Sequence, residues 1–152
     1  MKKRNLLSKI KEILKKLNIR YKEIKYSGII PEIDYIRAYI GDNMIAISSS
    51  PDNEAIFICS CICEIDKGII GIYELLKIIN EYNSKIPLGK LFVEAAETIT
   101  VNIEYSLVLG DNEITENQFA LLLDKLVAEI EDIFETLKSR LEFNKTGNNL
   151  PA

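Results

Sequence analysis

Every cysteine of the chain lies in one stretch, FICSCICEI, which places Cys59, Cys61 and Cys63 two residues apart. Thiols in that pattern raise the question of a zinc or redox site. On an extended strand, alternate residues point to one face with their Cα atoms about 6.6 Å apart. Thiolates that share a zinc bind it at about 2.3 Å and must lie within about 4 Å of one another. A straight strand cannot bring the three sulfurs onto one ion, and the chain has neither a fourth Cys nor any His to close the site. A disulfide between alternate residues fails because their side chains run parallel. The stretch reads instead as core, with Phe57, Cys59, Cys61, Cys63 and Ile65 on one apolar face against a helix and Cys acting as a small apolar residue.

The absence of His removes Ser-His-Asp and Cys-His nucleophiles, His bases and His metal ligands together. Chemistry would have to rest on carboxylates, Lys, Tyr or Cys. Glu94, Glu97 and Glu104 fall in one hairpin pattern. Paired carboxylates can do acid–base work, but a turn position and a Thr/Asn-rich strand read as solvated sites. No glycine-rich phosphate loop is present, since Gly68 and Gly71 are too few and wrongly placed. No cofactor or metal site is expected. Tyr35, Arg37 and Tyr39 share one strand face and could stack bases of a single strand; ordinary cross-strand pairing on a wet face is favoured.

Charge is uneven. Residues 1–25 hold ten Lys/Arg and two Glu, while 111–142 hold nine Asp/Glu and three Lys/Arg; the whole chain is at −4. Lys2, Lys3, Arg4, Lys9, Lys11, Lys15 and Lys16 could meet nucleic acid or an anionic surface. A domain-wide basic balance is missing, so a solvated helix face is favoured and nucleic acid is not the expected partner. The charged start is interrupted by Lys9, Lys11 and Glu12 and lacks a small-residue cleavage site, unlike a signal peptide. No apolar run reaches membrane-spanning length. Three cysteines do not make a secreted disulfide framework. A cytoplasmic protein without a membrane partner is the expectation.

The elements follow from periodicity. Residues 2–17 read as an amphipathic helix through Leu6, Ile10, Ile13, Leu14 and Leu17, stopped at Asn18. Strands are predicted over 21–26, 33–40, 44–49 and 55–65, with a hairpin turn at Gly41–Asn43. Residues 68–83 read as the most buried helix, with Gly71 allowing close approach to the sheet. Strands over 90–96 and 98–108 form a second hairpin; the later one alternates apolar Ile99, Val101, Ile103, Tyr105 and Leu107 with a polar face holding Thr100, Asn102 and Glu104. Thr115 and Gln118 make a capping box, and Ile114 and Phe119 a staple, for a last helix reaching about residue 143. Its stripe holds Phe119, Leu122, Leu126, Ile130, Ile133, Leu137 and Leu141. Strands come in hairpin pairs, which argues α+β with one mostly antiparallel sheet. A single α+β domain over 1–143 and a flexible tail over 144–152 are expected.

From about Glu74 to Leu141 the chain resembles the YbjN-type domain family, whose fold is like that of type III secretion chaperones. The stretches that carry the likeness are ELLKIINEYNSKIPLGKLFVEAAETITVNIEYSLVL and ITENQFALLLDKLVAEIEDIFETL. They combine a Leu-rich helix ending in an Asn-containing segment, a Lys/Gly link, two strands and a polar-capped long helix. The opening KIKEILKKLNIRYKE also suits the family. The resemblance implies one twisted antiparallel sheet with N-terminal, central and long C-terminal helices packed on it, and no catalysis or cofactor; the related chaperones dimerise and bind extended client segments.

The expected function is a non-enzymatic protein-binding module, chaperone- or adaptor-like, taking a protein client or a second copy as a homodimer. The candidate partner surface is the polar face at Thr100, Asn102 and Glu104 with Phe119, Leu126, Ile130, Ile133 and Leu137 of the last helix. The alternatives are a nucleic-acid or anionic-surface binder using the basic first helix and, last, a carboxylate- or thiol-based enzyme.

Overall fold

The computed structural model describes residues 5–26, 33–86 and 88–141. The order is α1 (Leu6–Lys16), β1 (Arg20–Tyr26), β2 (Ile33–Ile40), β3 (Asn43–Ser49), β4 (Ala55–Ile65), α2 (Ile72–Asn83), β5 (Lys90–Ala95), β6 (Ile99–Val108) and α3 (Glu116–Leu141). The strands form one six-stranded antiparallel sheet in the order β1-β2-β3-β4-β6-β5, so the fold is α+β, as the hairpin pairing of strands implies. Packing divides the chain into Met1–Cys59 with Ser106–Lys125, and Ser60–Tyr105 with Leu126–Ala152. The expected tail over 144–152 lies outside the described residues.

In the first unit, Asn5 caps α1, its Oδ1 accepting from the Ser8 amide at 3.0 Å. Asn18 takes a left-handed φ of 58° just past the helix, and the Ile19 amide turns back to the Leu14 carbonyl at 2.9 Å. A short polar side chain suits that conformation, and it ends the helix. An 11-residue helix is marginal alone. It is held because Leu6, Ile10, Ile13 and Leu14 are buried, each contributing about 1.5–3 kcal/mol. Helix α1 packs on β1 and β3. The sheet row facing this core pairs Glu23 with Ile36, Ile36 with Ile47 and Ile47 with Ile58; the three isoleucines are at most 1% exposed.

The second unit sets α2 against β5. Asn83 fixes this contact through both amide atoms: its Nδ2 donates to the Leu91 carbonyl at 3.0 Å, and the Leu91 amide donates to its Oδ1 at 2.7 Å. Gly89 follows at φ +78°, where an added Cβ would sit 2.3 Å from the Tyr105 ring and 2.9 Å from the Glu104 carbonyl oxygen. Only glycine lets the backbone pass there. Along β6, Ile99, Val101, Ile103 and Tyr105 are buried as the alternation expects, but Asn102 on the polar side is buried too and Leu107 is only half-buried.

Two local expectations are corrected. The second helix begins at Ile72, not Gly68, because Gly71 is extended and serves as its N-cap; a Cβ there would meet nothing. It is not the most buried helix either. Leu75, Ile78 and Ile79 are buried, whereas Ile72, Tyr73 and Leu76 are exposed. An apolar surface that wraps most of a helix is wider than the one side that packs inward.

Candidate functional site

The thiols do not share a face as a straight strand requires. Cys59 is half-buried, Cys61 exposed and Cys63 buried. Along β4 the even positions Ile56, Ile58, Ser60 and Ile62 are buried, and then the odd positions Cys63 and Ile65. The phase slips by one residue, the pattern an extra, bulged residue leaves in a strand. The Cys61 thiol donates to the Cys63 carbonyl at 3.6 Å. Burial, with the nearby Glu64 carboxylate second, pushes the Cys61 thiol up; burial pushes Cys63 up to about 12. Among the described residues no group of three or more His, Cys, Asp or Glu could hold a metal ion.

The carboxylates do not converge. Glu104 pairs in register with Lys90, and Glu94 with Thr100, four residues further along β5, which is about 13 Å at strand rise. Glu97 lies exposed in the turn between β5 and β6.

The apolar part of the expected partner surface is internal. Phe119, Leu126, Ile130, Ile133 and Leu137 are 0–4% exposed. Their near seven-residue spacing is filled by the chain's own packing and is closed to a partner in this state. Of the polar part, Thr100 and Glu104 are half-buried and Asn102 is 7% exposed. The Asn102 amide donates to the Thr100 hydroxyl at 3.1 Å.

Apolar surface is open instead on α2. Tyr73 is 79%, Leu76 39% and Ile72 36% exposed. Residues at i and i+4 of a helix lie on one face, so Ile72 and Leu76 adjoin, with Tyr73 beside them. Glu74 and Lys77 pair across 3.3 Å next to this patch. Periodicity found these residues, but it could not tell which side of so broadly apolar a helix stays uncovered.

The end of α2 and the later part of α3 enclose a cleft of about 380 Å³, lined in part by Tyr82, Lys85, Glu129, Asp132 and Arg140. Arg140 donates to Glu81 at 2.7 Å at its edge, and that bond holds the Glu81 carboxyl below its usual range. Tyr105, 2% exposed, donates to Glu129. Burial and that bond push the phenol up.

In α1, Lys11 is paired with Glu23, and Lys15 and Lys16 are exposed. Lys2, Lys3 and Arg4 lie outside the described residues. The Tyr35, Arg37 and Tyr39 side chains share a half-buried face on which Arg37 donates to the Tyr35 hydroxyl at 3.1 Å. Among the described residues no helix is long and apolar enough to cross a membrane.

Comparison with known families matches residues 7–139 to the model described as "YbjN: Putative bacterial sensory transduction regulator". Among solved structures, the chain is similar to the crystal structure of YbjN from E. coli, there called "a putative transcription regulator". The two superpose with a TM-score of 0.65 at 13% identity, over 88% of this chain and 92% of that one. At that identity the likeness is one of fold. A comparison with curated proteins finds no match.

Proposed function

The chain belongs to the YbjN family, and from that premise we propose that it is a non-enzymatic, cytoplasmic protein-binding module that acts as a homodimer through the outer face of α2. One observation carries the reading: Ile72, Tyr73 and Leu76 are exposed on a helix whose other side is core. Contiguous exposed apolar residues rimmed by charge mark contact surfaces. A second copy is the occupant the surface fits. It carries one acid and one base, Glu74 and Lys77, beside its apolar centre and meets its own image without net repulsion. Such a self-complementary patch is what a two-fold interface requires. A role exerted through binding agrees with the family's description as a regulator. Three cysteines, an odd number gathered on one strand, agree with a reducing compartment rather than a disulfide framework.

Sedimentation equilibrium of the full chain tests this. The wild type is expected to be dimeric at tens of micromolar and Leu76→Glu monomeric, with unchanged helix content. A wild type that stays monomeric, or a Leu76→Glu variant that dimerises equally, contradicts the reading.

A further inference from the structure

We propose that the face of β1, β2 and β3 opposite α1 binds single-stranded nucleic acid. The cross-strand register assembles this face row by row. Arg20 pairs with Tyr39 and Tyr39 with Met44; Lys22 pairs with Arg37, Arg37 with Ala46, and Ala46 with Cys59; Ile24 pairs with Tyr35. Every one of these side chains is half-buried or exposed, whereas Ile36, Ile47 and Ile58 beneath α1 are buried. No helix residue is needed to complete the surface.

Its charge has one sign. Arg20, Lys22 and Arg37 stand on it, and the carboxylates of the same strands, Glu23 and Asp34, alternate onto the other face. Glu23 is engaged there by Lys11. Among the described residues none of the three cations forms an ion pair. Arg37 uses one terminal nitrogen on the Tyr35 hydroxyl and leaves its Nε buried without a partner.

The cations are interleaved with rings. The Arg20 guanidinium lies 4.8 Å from the centre of the Tyr39 ring, and that of Arg37 lies 6.0 Å from Tyr35. Ala46 and Cys59 leave a shallow floor between these aromatic positions. Flat rings and guanidinium planes on a cationic sheet offer stacking to bases and charge to phosphates at once. An acidic peptide would satisfy the cations but has no flat partner for the rings, so a single strand, DNA or RNA, fits better. The sequence alone shows only one Arg between two Tyr; Arg20 and Lys22 join them through register.

Fluorescence anisotropy with labelled thymidine and uridine 12-mers, titrated with the full chain at 50–200 mM salt, tests the assignment, and the two sugars separate DNA from RNA. Saturable binding is expected, with a log–log salt slope of about −2, as three neutralised phosphates give on a single strand. Tyr39→Ala is expected to weaken it about tenfold, as loss of one base stack does. Arg20→Gln with Lys22→Gln, both exposed sites, should reduce affinity and the slope with the fold intact. Lys15→Gln with Lys16→Gln on α1 should change neither. No binding at 50 mM salt overturns the proposal. So does loss through the α1 pair alone, or equal competition by an acidic peptide.

Discussion

The Tyr105 hydroxyl, carried inward on β6, donates to the Glu129 carboxylate of α3. The tyrosine is 2% exposed and the glutamate half-buried. Their roles on deletion are therefore unequal. Tyr105→Phe leaves Glu129 able to recover water and should cost about 1 kcal/mol. Glu129→Ala strands a buried phenol and should cost about 1–3 kcal/mol. Urea unfolding of both and of the double variant checks this, with the double costing less than the sum.

Gly89→Ala should be the most damaging glycine substitution among the described residues. It combines a φ of +78° with a Cβ set into the Tyr105 ring. A left-handed residue costs about 1–2 kcal/mol and overpacking about 1–3 kcal/mol more. Gly41→Ala and Gly110→Ala, at similar φ in open space, should pay only the first. Thermal midpoints of the three variants give the ranking.

Asn83 joins α2 to β5 by two reciprocal bonds to Leu91, a residue 3% exposed. Asn83→Ala orphans a backbone donor and acceptor together and should cost about 2 kcal/mol or more. Asn83→Asp keeps the acceptor but sets a carboxylate against the Leu91 carbonyl, so its deficit should shrink as the acid is protonated. Denaturation of both variants at pH 7 and pH 4 separates the two cases.

The thiols should react in order of exposure: Cys61 first, Cys59 more slowly, and Cys63 only on unfolding. Alkylation followed by peptide mapping reads the order. Cys63 also makes stability depend on pH. Burial holds its thiol up to about 12 against an ordinary 9.0, so the folded state keeps a proton that the unfolded state releases. That contribution is intact below pH 9 and is lost as pH rises from there toward 12. Cys63→Ala should flatten the decline, measured by urea unfolding at stepped alkaline pH.

Much of this architecture is written locally. The Thr115 amide donates to the Gln118 side chain at 3.0 Å and the Gln118 amide to the Thr115 hydroxyl at 3.2 Å, as the spacing Thr-x-x-Gln predicts. Asn18 as a stop and the turn before Asn43 were legible for the same reason, since one residue type decides each. What failed depends on partners distant in sequence. The slip between Ile62 and Cys63 violates the strict two-residue period used to place the thiols. The α3 stripe and the exposed side of α2 have equally apolar patterns, and only the fold decides which is covered. The cationic face became visible through register, which sets Arg20 and Lys22 opposite Tyr39 and Arg37.

The most direct test is a photo-cross-linking amino acid in place of Tyr73, 79% exposed beside Ile72 and Leu76 in the α2 patch. Irradiation of the purified full chain should give a covalent dimer, with linked peptides from residues 69–77 of both copies. Monomer alone at every concentration up to the millimolar range, or cross-links confined to other parts of the chain, would contradict an interface built on α2.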